Sequence, residues 1–190
     1  MEPMRVVSVN VSLPKRVPYR GRTVSTAIFK EPVAGRVPVR GVGLQGDAVG
    51  DPRVHGAPNK AVYGYPSEHY AFWTGEFPEM TLPWGMFGEN VTTAGLLEGD
   101  LHLGDRFRIG TAVLEATAPR FPCFKLGIRF GREDIEDRFL ESGRSGFYFR
   151  VVREGDVAAG DAIERAAPAN AGPTIANVVR DRIEESEGGE

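Results

Sequence analysis

Cysteine is almost absent from this sequence, with Cys123 the single example in 190 residues. One cysteine cannot form a disulfide within the chain, which excludes a small secreted scaffold held together by disulfides. Histidine is also scarce. The three histidines and the cysteine are scattered along the sequence without the close spacing that zinc ligands usually show. A conventional zinc centre is therefore not expected.

Long apolar segments and a strong charge of either sign are missing as well. No stretch approaches the roughly 18–20 apolar residues that a membrane span requires. The N-terminus has no basic segment followed by an apolar run, so a signal peptide is not expected. The formal net charge of −3 lacks the basic excess typical of nucleic-acid-binding proteins. These absences predict a cytoplasmic protein that binds neither nucleic acid nor a membrane.

The 24 glycines and 14 prolines divide the chain into short segments, a spacing that favours strands over long helices. Alternation from Met4 to Leu13 predicts a strand with Val7, Val9 and Val11 on one face. Further strands are predicted at Thr23–Lys30, Arg36–Arg40, Lys60–Tyr65, Asp105–Ile109, Ala112–Thr117, Phe147–Arg153 and Asp161–Arg165. Many short strands with few helices predict a closed or nearly closed β-barrel.

Three helices are predicted, at Ser67–Gly75, Arg132–Ser142 and Thr174–Glu185. The second has an apolar stripe and is followed by Gly143, a residue typical of helix ends. The predicted fold class is therefore mainly β with some α. A barrel domain is expected over residues 1–166, followed by a linker and a short C-terminal helical tail over residues 167–190.

Three segments contain the residues best suited to chemistry. They are Gly43–Asp47 continued by Asp51–Val62, Phe87–Val91 with Gly95-Leu96 shortly after it, and Pro119–Cys123. Their Gly-Asp, His-Gly, Lys-Ala-Val, Gly-Glu-Asn and Pro-Arg-x-Pro-Cys motifs, in this order, resemble the MOSC family, most closely its small stand-alone YiiM-like branch. The resemblance extends from about Met4 to Arg165. It implies a distorted β-barrel with peripheral helices, and binding of the molybdenum cofactor, a molybdopterin.

Cys123 is the candidate metal ligand and catalytic residue. A lone cysteine is often only a small buried hydrophobic residue. Here Pro119 and Pro122 restrict the backbone, and Arg120 is close enough to favour the thiolate over the thiol. A thiolate is a soft ligand that suits molybdenum already held by the two sulfurs of a pterin. With the MOSC resemblance, Cys123 is predicted to ligate the molybdenum.

A molybdopterin also carries a phosphate, which requires cations and hydrogen-bond donors. Lys60, Arg53 and Arg120 are the main candidates, and Arg22 is a further one. The alternative for each arginine is an ordinary solvated surface charge.

Other polar residues of these motifs have two interpretations each. His55 could relay protons to a bound substrate, or could hydrogen-bond its own turn; its setting between turn residues favours the first. Glu89 and Asn90 could hydrogen-bond the pterin, or could brace the loop backbone. His69 and His102 are interpreted as structural or surface residues.

The resemblance implies an oxidoreductase that reduces small N-hydroxylated molecules. Because no nucleotide, flavin or iron–sulfur motif is recognisable, electrons are expected from a separate donor protein. Two other functions fit the same residues: a non-catalytic carrier of the molybdenum cofactor, and a metal-free thiol enzyme in which His55 activates Cys123. A homodimer is left open as the assembly.

Overall fold

Thirteen short strands and four helices form the part of the chain that the computed structural model describes, residues 3–48, 57–168 and 170–187. The strands are β1 Arg5–Val11, β2 Lys15–Tyr19, β3 Arg22–Thr26, β4 Glu31–Pro32, β5 Val37–Arg40, β6 Gly43–Leu44, β7 Val62–Pro66, β8 Val91–Ala94, β9 Arg106–Ile109, β10 Ala112–Pro119, β11 Phe147–Arg153, β12 Gly155–Val157 and β13 Ile163–Arg165. The helices are α1 Glu68–Glu76, α2 Phe124–Phe130, α3 Ile135–Glu141 and α4 Ile175–Glu187, with a 3-10 turn at Pro58–Lys60. None of these helices has the length and apolar composition needed to cross a membrane.

Eight strands form one mixed sheet in the order β13-β9-β10-β11-β7-β8-β1-β4. Its neighbours are antiparallel except β7 and β8, which are parallel. A smaller sheet contains β12, β5 and β6, and β2 pairs with β3 as a hairpin. The main sheet does not close within the described residues, although Arg5 and Ala162 form an isolated bridge between β1 and the residue before β13. The β-rich fold with peripheral helices is confirmed, whereas the closed barrel is not.

Every predicted strand and helix overlaps an observed one. Of the three valines predicted to share one face of β1, Val9 and Val11 pack against the core cluster, whereas Val7 was placed incorrectly. Of the three valines assigned to one face, only Val9 is fully buried, while Val7 and Val11 are half-buried. The register with β8 shifts between Val6 and Ser8, which turns the next residues toward the other face. The buried hydroxyl of Ser8 then donates to Asn10 Oδ1 at 2.7 Å.

An aromatic cluster separates the main sheet from α1, α2 and α3. Its buried aromatic members are Tyr63, Tyr65, Tyr70, Trp73, Phe77, Phe87, Phe130 and Phe139. The indole N–H of Trp73 donates to the Tyr65 hydroxyl at 2.8 Å, so the polar atoms of both rings are satisfied in the interior. This cluster forms the support for β7 and for the segment that leads into α2.

The C-terminal tail is attached to the sheet domain through backbone hydrogen bonds and a buried carboxylate. Leu103 N donates to Pro173 O at 3.0 Å, and Ile175 N donates to Leu101 O at 2.8 Å. Asp105 accepts from Asn170 N at 2.7 Å and also binds the Arg165 guanidinium. Residues beyond 166 are therefore packed against the predicted barrel domain.

A pair of glycine substitutions tests the packing beneath β7. A Cβ on Gly64 would lie 2.5 Å from Phe147 Cε2, and the Phe147 ring is fully buried. Gly64→Ala should lower the free energy of unfolding by about 1–3 kcal/mol because the ring must shift. At Gly75, in α1, no described heavy atom lies within 4 Å of an added Cβ. Gly75→Ala should raise the free energy of unfolding by up to about 1 kcal/mol in the same urea titration. Equal effects would contradict this packing.

Asp105 predicts an acid-dependent stability. Burial raises the pKa of Asp105, but the backbone N–H groups of Asn170 and His102 and the Arg165 guanidinium lower it by more. The net result is a pKa lowered from 3.8 to about 2. A carboxylate whose pKa is lowered by folding stabilises the protein at pH values above its pKa in the unfolded state. This stabilisation is lost as the pH falls toward the pKa in the folded state. Asp105→Asn should lower the free energy of unfolding by about 1–3 kcal/mol at neutral pH.

The difference in the free energy of unfolding between wild type and Asp105→Asn should shrink as the pH falls from about 5 to about 2. Urea denaturation at several pH values measures it. Asp181→Asn, on an exposed face of α4, is the matched control and should change neither the stability nor its pH dependence. A difference that stays constant over this range would contradict the assigned role.

Candidate functional site

A cavity of about 720 Å³ opens beside the aromatic cluster. Its described lining residues are Thr26, Ala27, Ile28, Lys30, Arg40, Val42, Gly43, Leu44, Gln45, Gly46, Asp47, Ala48, Lys60, Ala61, Tyr63, Gly88, Asn90, Pro119, Arg120, Phe121, Cys123, Lys125 and Tyr148. The volume falls within the roughly 300–1,000 Å³ of typical small-molecule and cofactor sites. Segments far apart in the sequence therefore share one pocket, and three of the predicted motifs contribute to it.

Cys123 lines this cavity at the start of α2. It is half-buried, and its backbone is extended, with φ −142° and ψ 168°. Its carbonyl oxygen accepts from Leu126 N at 2.8 Å, the first turn of the helix. The sequence predicted a stiff irregular segment here, and that holds up to Cys123, whereas the helix directly after it was missed.

Arg120 is a buried cation in the wall of the same cavity. Its guanidinium carbon lies 5.3 Å from the centre of the Tyr63 ring and 5.2 Å from that of Phe139. Burial lowers its pKa, but Tyr63, Tyr148 and Cys123 raise the pKa more, so the group remains charged. Its Nη1 has no hydrogen-bond partner among the described residues. A buried charged donor without a partner is costly, and an anion in the cavity would satisfy it.

The other predicted cations are placed differently. Lys60 ends the 3-10 turn before β7, is exposed, lines the cavity and lies 5.5 Å from the Tyr148 ring centre. Arg22 stands over the Phe124 ring at 5.5 Å and is not among the described lining residues. Arg53 and His55 fall in residues 49–56, outside the described residues. The structure thus brings Lys60, Arg120 and Cys123 around one cavity.

Glu89 is fully buried and does not belong to the described lining. Its carboxylate accepts from the Tyr70 hydroxyl at 2.5 Å, Gly85 N at 2.9 Å, Phe87 N at 3.1 Å and the Thr92 hydroxyl at 2.9 Å. Burial raises its pKa, and these donors oppose that effect. Of the two interpretations of Glu89, its contacts correspond to bracing the loop.

Asn90 lines the cavity, but its amide is engaged within the protein. Asn90 Oδ1 accepts from Tyr63 N at 3.0 Å, and Nδ2 donates to Asp47 Oδ2 at 2.9 Å. These contacts hold β7 and the loop after Gly46 together at the cavity wall. Asn90 is therefore placed at the site, with its donor directed to another protein group.

A buried ion pair that the sequence did not predict forms part of this wall. Lys30 Nζ lies 2.6 Å from Asp47 Oδ1, with 8% and 11% of the two side chains exposed. Asp47 also accepts from Ser12 N at 2.8 Å. Burial lowers the pKa of Lys30, while Asp47 opposes that shift. A signal was available: Lys30 is one of only four lysines and follows the apolar Ile28-Phe29 pair.

The described lining is strongly biased toward positive charge. It contains the cations Lys30, Arg40, Lys60, Arg120 and Lys125. Asp47 is the only acid among these described residues, and it is engaged with Lys30. Because the whole chain carries a net charge of −3, the cations are concentrated at this cavity and favour an anionic ligand.

Comparison with known families decides what kind of domain surrounds this cavity. The sequence model of the MOSC domain matches residues 51–164, more than half of the chain. The chain belongs to the MOSC domain family. MOSC domains are associated with binding of the molybdenum cofactor, so the family and the cavity both point to a function related to this cofactor.

Individual relatives agree with this membership. The chain is 41% identical over 159 residues to the uncharacterized protein YflK of Bacillus subtilis (strain 168), covering 84% of this chain and 72% of that protein. The crystal structure of YiiM from Geobacillus stearothermophilus superposes with a TM-score of 0.79 at 34% identity, covering 96% of this chain and 85% of that one. A protein named reductase from Gibberella moniliformis (strain M3125 / FGSC 7600) is 33% identical over 168 residues, or 85% of this chain. This MOSC protein spans only 30% of that longer relative. The predicted YiiM-like membership is confirmed.

The described residues of this MOSC domain fit the cofactor chemically. A half-buried thiol, a buried guanidinium with an unpartnered Nη1 and an exposed lysine share one cavity. Cys123 offers the soft ligand that molybdenum accepts, and Arg120 and Lys60 offer charged donors for a phosphate. Lys30 and Asn90 complete a polar wall that is already fixed by protein hydrogen bonds.

The Lys30–Asp47 pair is tested by a double-mutant cycle. Asp47→Ala leaves a buried ammonium without its carboxylate, and should lower the free energy of unfolding by about 3–5 kcal/mol. Adding Lys30→Met removes the uncompensated charge, so the double variant should be more stable than the sum of the two single losses predicts. A coupling of at least about 1 kcal/mol is expected from urea titrations of the four proteins. Strictly additive losses would contradict a coupled pair.

Proposed function

We propose that this MOSC protein is a molybdenum-cofactor-dependent reductase of small N-hydroxylated compounds that receives electrons from a separate donor protein. One observation carries the proposal: Cys123 and the buried Arg120, whose Nη1 has no partner among the described residues, line the same cation-rich cavity. The name of the fungal relative supports a reductive activity. The N-hydroxylated substrate class is the one that the resemblance to YiiM-like proteins implies.

The protein residues would divide the binding of the cofactor among them. Cys123 would supply the thiolate ligand, and Arg120 and Lys60 would hold the phosphate, together with Arg53, which lies outside the described residues. When bound, the cofactor supplies two-electron redox chemistry that no amino-acid side chain provides. The aromatic cluster beneath Arg120 excludes water from one side of the cavity.

The reaction balances as R–NH–OH + 2 e⁻ + 2 H⁺ → R–NH₂ + H₂O. The N–O bond breaks, the oxygen leaves as water, and both electrons come from the donor protein. His55 is the proton donor predicted from the sequence. Among the described lining residues, Lys30 Nζ also bears protons, and burial lowers its pKa, which makes proton release easier than from an exposed lysine.

Metal content and turnover of the purified protein test this proposal together. Protein from a host that makes the cofactor should contain an equimolar amount of molybdenum and should reduce an N-hydroxylated base with dithionite as reductant. Protein from a cofactor-deficient host should contain no molybdenum and show no turnover. Cys123→Ala should abolish turnover because the metal loses its protein ligand. Arg182→Ala, on the exposed face of α4, is the control and should keep wild-type activity.

The two rival functions give different results. Full molybdenum occupancy without turnover would indicate a carrier of the cofactor. Activity retained by molybdenum-free protein would instead indicate a thiol enzyme based on Cys123 and His55. Either result would overturn the proposed reductase.

A further inference from the structure

Large hydrophobic side chains are exposed at few positions of the described surface. They are Leu13, Val42, Leu97, Phe121 and Val152. Two of the five, Val42 with 81% and Phe121 with 41% exposed, line the cavity. Val42 lies in the turn between β5 and β6, and Phe121 lies between β10 and α2. Exposed apolar groups brought to one opening from distant segments are typical of an interaction surface.

Basic side chains accompany these two residues. Arg40 and Lys60 are exposed, Lys125 is half-buried, and all three line the cavity. None of the three forms an ion pair with another residue in the described ranges. Among the described residues, the acid Glu154 also lies near this region, and its Oε1 accepts from Gly41 N at 2.9 Å. The opening therefore has exposed apolar groups beside cations that have no ionic partner among the described residues.

We infer that the cavity rim, defined as Arg40, Val42, Phe121 and Lys125, is the docking surface of an acidic electron-carrier protein. The inference rests on the proposed function, because a reductase whose sequence has no recognisable flavin or iron–sulfur motif needs another protein to deliver its electrons.

Charge complementarity identifies the partner. A rim of cations in a chain with net charge −3 attracts an acidic surface and repels a basic one. Electron-transfer complexes have small and transient interfaces, and a rim that combines two exposed apolar residues with two cations suits them. Because Cys123 lines the same cavity, a carrier docked here would bring its redox group next to the position of the cofactor. A one-electron carrier must dock twice for each N–O bond broken.

Binding of flavodoxin, an acidic flavoprotein that exchanges single electrons, tests the docking surface. Titration calorimetry with the holoenzyme should show binding that weakens as the salt concentration rises. Lys125→Glu should weaken binding by about tenfold because it reverses a rim charge. Lys125 is the second residue of α2, where an acidic side chain is favourable for the helix, so the variant should fold. Val42→Ser should also weaken binding.

Arg182→Glu is the matched control. It makes the same change of charge on α4, where Arg182 pairs with Glu185, and should leave the affinity for flavodoxin within about twofold of wild type. With dithionite as reductant, Val42→Ser should turn over like wild type. With reduced flavodoxin, its kcat/KM for the carrier should fall in proportion to the affinity.

The outcomes separate this inference from the proposed function. If dithionite supports no turnover, but salt and Lys125→Glu weaken flavodoxin binding and Arg182→Glu does not, the docking surface stands and the reductase fails. Absent binding, salt-independent binding, or an equal effect of Arg182→Glu overturns the docking surface, whatever the activity with dithionite.

Discussion

Arg120 carries its charge inside the molecule, and the arrangement of the cavity depends on how that charge is accommodated. The faces of the Tyr63 and Phe139 rings, on β7 and α3, partly replace the water that the guanidinium has lost. Cys123 follows three residues later, so the same contacts fix the thiol-bearing segment between the sheet and the aromatic cluster. Movement of either ring would leave a buried cation unsatisfied, which makes this part of the site rigid.

Two buried carboxylates fix the remaining walls. Asp47 gathers Lys30, Asn90 and Ser12 N, and thereby joins three segments that are far apart in the sequence. Glu89 holds the loop that precedes β8 through backbone and hydroxyl donors. A ligand therefore meets donors whose positions are already set by other protein groups, which reduces the entropy lost on binding.

Local patterns could be predicted where short-range preferences decide the structure. The strands predicted at Phe147–Arg153 and Ala112–Thr117 follow from local sequence preferences, and both are observed. The helix after Cys123 could not be predicted in this way, because it depends on burial of Leu126 and Phe130 in the aromatic cluster. The donors that surround Glu89 could not be predicted for the same reason, because Tyr70 lies 19 residues away in the sequence.

The sequence by itself determined the position of most strands and helices, the stiff proline-flanked setting of Cys123, and the resemblance to the MOSC family. The strands, the helices and the stiff segment depend on the conformational preferences of each residue and its neighbours along the chain. The resemblance depends on the order and spacing of the motifs. Only the tertiary structure decided that the main sheet stays open among the described residues, that Lys30 and Asp47 form a buried pair, and that Arg22 is not among the described lining residues of the cavity. Burial and charge environment depend on contacts between distant segments, such as that between Asp47 and Asn90, 43 residues apart. Cys123 is a candidate ligand because of its sequence, and it lies in a cation-rich cavity because of the fold.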